Sequence, residues 1–155
     1  MRELNNFNGI NEVIAALNCG AVYRLKKTFD LLAEKHTETL QQLRDMMSHS
    51  NAYKKMRDEL RNCSPPCIPY IGLFQTDLTF LEDGNKDLTE NGLINFHKRT
   101  LFASVLIDIH TYQQAPFNIE EVPYLNEILS NKIFDDLMDD DTQYNLSLEF
   151  EPRGK

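Results

Sequence analysis

Apolar residues recur at helical spacing along most of this chain, and short polar segments separate the recurrences. The pattern predicts helices over about residues 10–17, 21–29, 37–47, 53–60, 68–81, 93–112, 122–129 and 141–148. Thr37 is predicted to cap the third helix, and residues 48–51 to form a loop. No segment combines period-two alternation with turn signals, so strands are not expected. The predicted fold class is all-α, with helices too short and unequal for a simple bundle.

The stretch from Pro65 to Pro116 predicts two helices folded back on each other. Its prolines start a rigid extended connector, because each proline keeps its predecessor out of helix. An apolar run then closes on Glu82-Asp83, a polar turn follows, and a second run ends at Tyr112. Two helices joined by a short polar loop pack antiparallel. Because a buried tip would not be left acidic, we expect this helical hairpin, about residues 67–115, to project from the domain and reach into another molecule.

Composition narrows the class of protein. The 155 residues suffice for one domain with a real core, and 41% apolar with 26% charged residues is ordinary for a globular protein. A net charge of −8 argues against a nucleic-acid partner and against binding to anionic membrane. No apolar run approaches the roughly 20 residues of a membrane span, so no direct membrane insertion is expected. The odd count of three cysteines, without a signal peptide, predicts reduced thiols and a cytoplasmic location.

Candidate enzyme chemistry is sparse. The cysteines and the four histidines show no metal-ligand spacing and no pairing with a nucleophile, so no metal or cofactor is expected. No glycine-rich phosphate loop appears, which predicts that the chain does not bind GTP itself. Acidic residues cluster late in the sequence and are predicted to form a solvated face: Asp135, Asp136, Asp139, Asp140, Asp141, Glu149 and Glu151.

Several separate motifs occur in order from residue 3 to residue 153. They are Glu3–Gly9, Ala16–Asn18, Val22–Leu25, Pro65–Gly72, Thr76–Leu78, Glu82–Asn85, Leu93–Arg99 and Ser147–Arg153. Together they resemble the catalytic domain of Ras-family guanine-nucleotide exchange factors of the Son of sevenless type. The resemblance implies that residues 1–155 form the C-terminal portion of that domain, without its first helices. Apolar faces of the first and third helices then lack their cover, which we expect to favour self-association.

The resemblance also implies how the hairpin acts. In this family, one hairpin helix is pushed beside the nucleotide site of a small GTPase and pulls the switch I segment away. Thr79 and Asp83 are the implied catalytic residues that disturb the Mg²⁺ and phosphate sites, and they share a helix face with Gln75. Here Thr79 stands where a larger apolar side chain can sit, and Asp83 is one methylene shorter than glutamate.

Residues at the start of the second arm are implied to fix the tilt of the hairpin. We expect Phe96 to pack between the hairpin and the body, and Asn95 to hydrogen-bond backbone at the hairpin's base. Lys98 and Arg99 are either surface charges or partners of acidic residues in the domain. Thr100 occupies a position that can face the GTPase.

Three further positions carry two interpretations each. Asn18 either touches switch II of the GTPase, as the resemblance implies, or caps the first helix. Tyr53 is either a partner-facing aromatic residue or a core residue. Asn11 either meets the partner or is a plain surface residue.

The main functional hypothesis is therefore GDP/GTP exchange on a Ras-, Rap- or Ral-type small GTPase. Exchange needs no covalent chemistry, because the factor and the nucleotide weaken each other's binding through the mobile switch segments. The alternative hypothesis is a truncated, non-catalytic module that only binds the GTPase. A helical enzyme of unrelated type has almost no support, since no nucleophile–base spacing appears.

Overall fold

The computed structural model describes residues 1–48, 50–131 and 137–153. Across these residues the chain forms the helices α1 Phe7–Asn18, α2 Gly20–Tyr23, α3 Lys26–Asp30, α4 Glu34–Met46, α5 Lys54–Asn62, α6 Ile71–Gly84, α7 Phe96–Tyr112, α8 Pro123–Asn131 and α9 Asp140–Phe150. Sheet-like pairing in the described part is limited to two isolated bridges, Asn6 with Ile68 and Leu88 with Ile94. The all-α prediction is confirmed. His49 of the predicted loop, Asp135 and Asp136 lie outside the described residues.

Two details of the predicted helices are wrong. The helix expected over residues 21–29 is interrupted at Arg24 and Leu25, which separate α2 from α3. The third predicted helix does not begin at Thr37. It begins at Glu34, and the amide of Thr37 already donates to the carbonyl of Ala33 (3.2 Å). A threonine side chain suits a helix start, but its hydroxyl adds nothing where a backbone acceptor is in place.

Two compact units make up the chain. The first comprises Met1–Glu12 and Asp45–Pro116, and the second comprises Val13–Arg44 and Phe117–Lys155. The core of the first unit consists of Phe7, Ile10, Met46, Met47, Met56, Leu60, Cys67, Leu73 and Phe74. Met56 and Leu60 lie one turn apart on α5, so a single face of that short helix supplies both.

The hairpin belongs to the first unit. Phe74, near the start of α6, lies beside Tyr112 at the end of α7, with ring centroids 6.3 Å apart. Glu82, near the end of α6, pairs with Lys98 near the start of α7. Opposite ends of the two helices therefore meet, which confirms the antiparallel prediction. The connector before α6 is tied to the start of α1, because Ile68 exchanges hydrogen bonds with Asn5 (3.0 Å) and Phe7 (2.8 Å).

In the second unit, the C-terminal motif clamps the segment around α3. Arg24 donates to the carbonyls of Ser147 (2.6 Å) and Glu151 (2.5 Å). The carboxylate of Glu151 accepts from the amide of Thr28 (2.7 Å) at the start of α3. Asp139 caps α9 in the same manner through the amide of Thr142 (2.8 Å). These two acids, expected on a solvated face, thus satisfy backbone donors at helix starts.

Several of the most exposed apolar side chains lie on the hairpin. Phe80, Leu93 and Phe96 are 72%, 67% and 73% exposed, whereas Val13 of α1 is 42% exposed and Leu40 of α4 is half-buried. The apolar surface expected on the first and third helices is therefore smaller than that on the hairpin. None of the helices within the described ranges is both long enough and apolar enough to cross a membrane.

Candidate functional site

The outer face of α6 carries a polar stripe at four-residue spacing. Gln75, Thr79 and Asp83 are all exposed and all lie within the helix Ile71–Gly84. The hydroxyl of Thr79 donates to the carbonyl of Gln75 (3.0 Å). The carboxylate of Asp83 has neither a hydrogen bond nor an ion pair to any residue that the structure describes. The implied catalytic residues therefore share one accessible face, and the acid is not occupied by the protein's own cations.

Lys98 is the most unusual residue of the hairpin, because it is a charged residue with only 1% of its surface exposed. Its ammonium group lies 3.0 Å from Glu82 at the end of α6 and 3.0 Å from Asp87 in the connecting loop. Buried cations are tolerated only when they are paired in this way. Arg99 also reaches Asp87, at 2.8 Å. Of the two interpretations open for Lys98 and Arg99, pairing with acidic residues is confirmed.

The ion pairs shift the pKa values of the network in opposite directions. Burial alone lowers the pKa of Lys98, but its contacts with Glu82 and Asp87 outweigh burial and raise that pKa above the usual range. The hydrogen bond from Lys98 and its charge lower the pKa of Asp87. Lys98 and Asp87 are therefore charged around neutral pH, and α6, α7 and the loop are joined through one ammonium group.

The loop between α6 and α7 is a hydrogen-bonded turn. The amide of Thr89 donates to the carbonyl of Leu93 (2.7 Å), and the amide of Gly92 donates back to Thr89 (2.9 Å). Gly92 has a φ of +75°, which a side chain disfavours. Asn95 completes the turn, because its amide group donates to the carbonyl of Lys86 (2.9 Å) while its side-chain oxygen accepts from the amide of Lys98 (3.1 Å).

Asn95 and Phe96 each require a correction. Asn95 hydrogen-bonds backbone as predicted, but it does so at the loop end of the hairpin, where it caps α7, and not at the base. Phe96 was expected to pack between the hairpin and the body, and this is wrong, since 73% of its surface is exposed. Phe96 is the first residue of α7, where the capped helix start directs it away from the ion pairs that hold Lys98. Thr100, one turn later, is exposed, and its contact with a GTPase stays a prediction.

Tyr53 lies in an unusual backbone segment. Asn51, Ala52 and Tyr53 have φ values of 51°, 54° and 60°, so three consecutive residues other than glycine adopt the left-handed conformation. The ring of Tyr53 is half-buried and its centroid is 6.2 Å from that of Tyr70. A β-carbon at Gly72 would overlap the Tyr70 ring, so the glycine makes room for this aromatic pair. Tyr53 is thus neither a fully buried core residue nor a freely exposed one.

Asn11 and Asn18 lie on α1, in different units. Asn11 belongs to the first unit and is half-buried, and Asn18 belongs to the second unit and is exposed. Asn18 is the last residue of α1, yet it is not among the described residues with left-handed backbone. Asn18 therefore ends α1 without the left-handed backbone of the common asparagine cap, and its two interpretations stay predictions.

Sequence reasoning missed three contributors to this region. Tyr70 partners Tyr53, and its signal was an aromatic residue directly after Pro69. Asp87 pairs with Lys98 and Arg99, and the opposite charges at facing ends of an antiparallel hairpin were a usable signal. Arg57 makes a two-pronged ion pair with Asp77, 20 residues further along, for which the sequence offered no signal.

The described residues offer little for covalent or metal chemistry. No group of three or more His, Cys, Asp or Glu side chains within them is placed to hold a metal ion. Burial raises the pKa of the Cys67 thiol to about 12, so this thiol stays protonated at neutral pH. The described residues present a polar helix face, an aromatic pair and a charged hairpin end.

Comparison with known proteins gives concordant matches. The family model described as the RasGEF domain matches residues 1–100. The chain is 41% identical over 152 residues to Ras-specific guanine nucleotide-releasing factor 2 from Danio rerio, covering 98% of this chain and 12% of that protein. It is 39% identical over 153 residues to Ras-specific guanine nucleotide-releasing factor 1 from Rattus norvegicus, covering 98% of this chain and 12% of that protein. It is also 39% identical over 154 residues to Ras guanine nucleotide exchange factor K from Dictyostelium discoideum, covering 99% of this chain and 10% of that protein. The chain thus spans about a tenth of the length of these relatives.

Proposed function

The chain belongs to the RasGEF domain family, and from this premise we propose that it promotes release of GDP from a Ras-family small GTPase. The relatives reported above are named as guanine nucleotide-releasing or exchange factors. The single observation that carries the proposal is the exposed stripe of Gln75, Thr79 and Asp83 on a hairpin helix whose end is held by the buried Lys98. A polar face of this kind, on a rigid projecting element, is suited to enter a nucleotide site.

In the proposed mechanism the chain and GDP compete for one GTPase through its switch segments. The hairpin inserts beside the nucleotide and displaces switch I, so the GTPase binds this chain tightly only when it is empty. By linkage, the chain must weaken nucleotide binding by the same factor by which nucleotide weakens binding of the chain. Incoming GTP then displaces the chain, and no covalent bond forms or breaks.

Asp83 and Thr79 have different roles in this proposal. The carboxylate of Asp83, which has no partner among the described residues, competes with a phosphate for its hydrogen-bond donors and repels the remaining phosphates. Thr79 offers a small side chain whose hydroxyl proton is already donated to Gln75. We therefore assign the electrostatic effect to Asp83 and a steric effect to Thr79.

The second arm of the hairpin supports this face without touching the nucleotide site. Asn95 fixes the start of α7, and Lys98 with Arg99 joins that start to the loop and, through Glu82, to the end of α6. Since Glu82 precedes Asp83 directly, the ion pair of Lys98 sets where the Asp83 carboxylate stands. Asn11, Asn18, Thr100 and the Tyr53–Tyr70 pair are proposed to contact the GTPase.

One observation favours a second candidate function, a GTPase-binding module without exchange activity. The acid at position 83 is short, and the hydroxyl of Thr79 is engaged within its own helix. A surface with this weaker stripe is able to dock a GTPase and leave its nucleotide in place. The two functions differ in nucleotide dependence, because an exchange factor prefers the nucleotide-free GTPase and a passive module has no such requirement.

The test is release of fluorescent GDP from purified Ras, Rap and Ral with and without the chain, under excess unlabelled nucleotide. The variant Asn18→Ala with Asp83→Ala is expected to lose most of the acceleration. Glu59→Ala is the matched control, since Glu59 is an exposed acid on α5. Acceleration that requires the wild-type residues on one GTPase establishes the proposal and identifies the substrate. No acceleration on any of the three, with binding to the GDP-loaded form intact, establishes the passive module instead.

A further inference from the structure

Arg57 connects two parts of the first unit through a single side chain. Its Nη1 and Nη2 atoms donate to the two carboxylate oxygens of Asp77 on α6, at 2.7 and 2.6 Å. Its Nε atom donates to the carbonyl of Ala52, at 2.8 Å. The planar guanidinium holds all three bonds in one fixed geometry, which a lysine ammonium does not reproduce.

The first of these two parts is the left-handed segment 51–53. Residues other than glycine rarely adopt this backbone conformation, and a run of three persists only when surrounding contacts hold it in place. The bond from Arg57 to Ala52 acts on the middle of the run. It therefore helps to determine where Tyr53 stands at the N-cap of α5 and how its ring meets Tyr70.

The second part is the hairpin helix itself. Asp77 lies on α6 two residues before Thr79 and six before Asp83, within one continuous helix. A displacement of Asp77 therefore moves the polar stripe as a rigid body. The pair is also sheltered, since the side chains of Arg57 and Asp77 are 26% and 27% exposed, so salt screens it less than a surface pair.

From these contacts we propose that Arg57 is a positioning residue that couples the Tyr53 segment to α6, so that docking at the aromatic pair and action of the hairpin are one event. The inference rests on the proposed function for its catalytic meaning. Arg57 contacts neither nucleotide nor the reacting site in this scheme. It acts through Ala52 on the docking surface and through Asp77 on the stripe.

Amide hydrogen exchange of the isolated chain tests the physical coupling. Arg57→Gln removes both connections, and we expect faster exchange in residues 51–54 and in α6 together. Arg61→Gln is the matched control, because Arg61 lies one turn further along α5 and is 74% exposed. Faster exchange in only one segment, or an equal change in the control, overturns the coupling whatever the nucleotide assay shows.

A mutational cycle tests the functional coupling in a variant that keeps the positive charge. In the wild-type background, the variants Tyr53→Ala and Asp83→Ala are expected to act non-additively on kcat/KM of GDP release. The effect of the double variant should differ from the product of the two single effects by about fivefold. Arg57→Lys keeps an ion pair with Asp77 but loses the Nε bond to the carbonyl of Ala52, so in that background the two effects should become additive. Persistent non-additivity with Arg57→Lys overturns the inference, since a purely structural arginine leaves that coupling unchanged.

The two tests separate failure of the inference from failure of the proposed function. If the wild-type chain releases no GDP from any GTPase, the exchange function fails while hydrogen exchange still decides whether Arg57 joins the two segments. If GDP release is fast and the Arg57 variants behave like Arg61→Gln, the exchange function stands and the inference is refuted.

Discussion

The two ends of the hairpin are held by different forces. At the base, Leu73 and Phe74 are 2% and 7% exposed and Phe74 lies beside Tyr112, so apolar burial dominates. At the tip, Phe80 and Phe96 are largely exposed, and the helices are joined by the ion pairs of Lys98. Apolar burial sets stability and is insensitive to pH, whereas ion pairs set orientation and respond to pH and salt. The proposed catalytic acid lies at the end held by charge.

The largest expected effect is on stability, at the base. Leu73→Ala removes a fully buried side chain and should lower the free energy of unfolding by about 2–5 kcal/mol. Leu106→Ala on α7 makes the same chemical change at a position that is 56% exposed, and it should alter stability by less than about 0.5 kcal/mol. Urea unfolding followed by circular dichroism measures both. Equal losses would show that the hairpin base is not the stabilising end.

At the tip, the expected effect is on exchange activity. Lys98→Met fills the same volume but releases Glu82 and Asp87 to water, so the stripe loses its fixed position. A misplacement of this kind is expected to reduce kcat of GDP release by about 100-fold. Lys86→Met, at an exposed loop lysine, is the control. Loss of folding in Lys98→Met comparable to that of Leu73→Ala would remove the distinction between base and tip.

Within the hairpin, the pH response should be smaller and should arise at the tip. Because the pKa of Asp87 is lowered in the folded chain by Lys98, this carboxylate stabilises the fold above its unfolded pKa of about 3.9. That contribution is lost as the pH falls through the lowered pKa. Asp87→Asn should therefore flatten the decrease of Tm below about pH 4. A wild-type and a variant profile of identical slope would show that the tip is not held by this charge.

The smallest effect is expected for Phe96. With most of its ring in solvent, Phe96→Ala should change the free energy of unfolding by about 0.5 kcal/mol or less. Thermal unfolding beside Phe74→Ala, a buried aromatic residue at the base, gives the direct contrast. A loss for Phe96→Ala that approaches the loss for Phe74→Ala would restore the packing role expected from the sequence.

Most of the helices were predictable, because the spacing of apolar residues and the prolines and glycines act locally. The all-α class, the antiparallel hairpin and the shared face of Gln75, Thr79 and Asp83 all follow from such spacing. The errors occur where two local signals compete. The break at Arg24 and Leu25 has no proline or glycine, and Thr37 offers a capping side chain inside a helix that had already begun.

Only the tertiary structure decided which charged and aromatic residues are buried. The sequence left two interpretations open for Lys98 and predicted a packed Phe96, yet the fold buries Lys98 and exposes Phe96. The reason is that burial at a helix start depends on which element faces it. The capped start of α7 turns Lys98 toward Glu82 and Asp87 and leaves Phe96 in solvent. The pairing of Arg57 with Asp77 likewise depends on the approach of α5 to α6, which no local pattern of residues encodes.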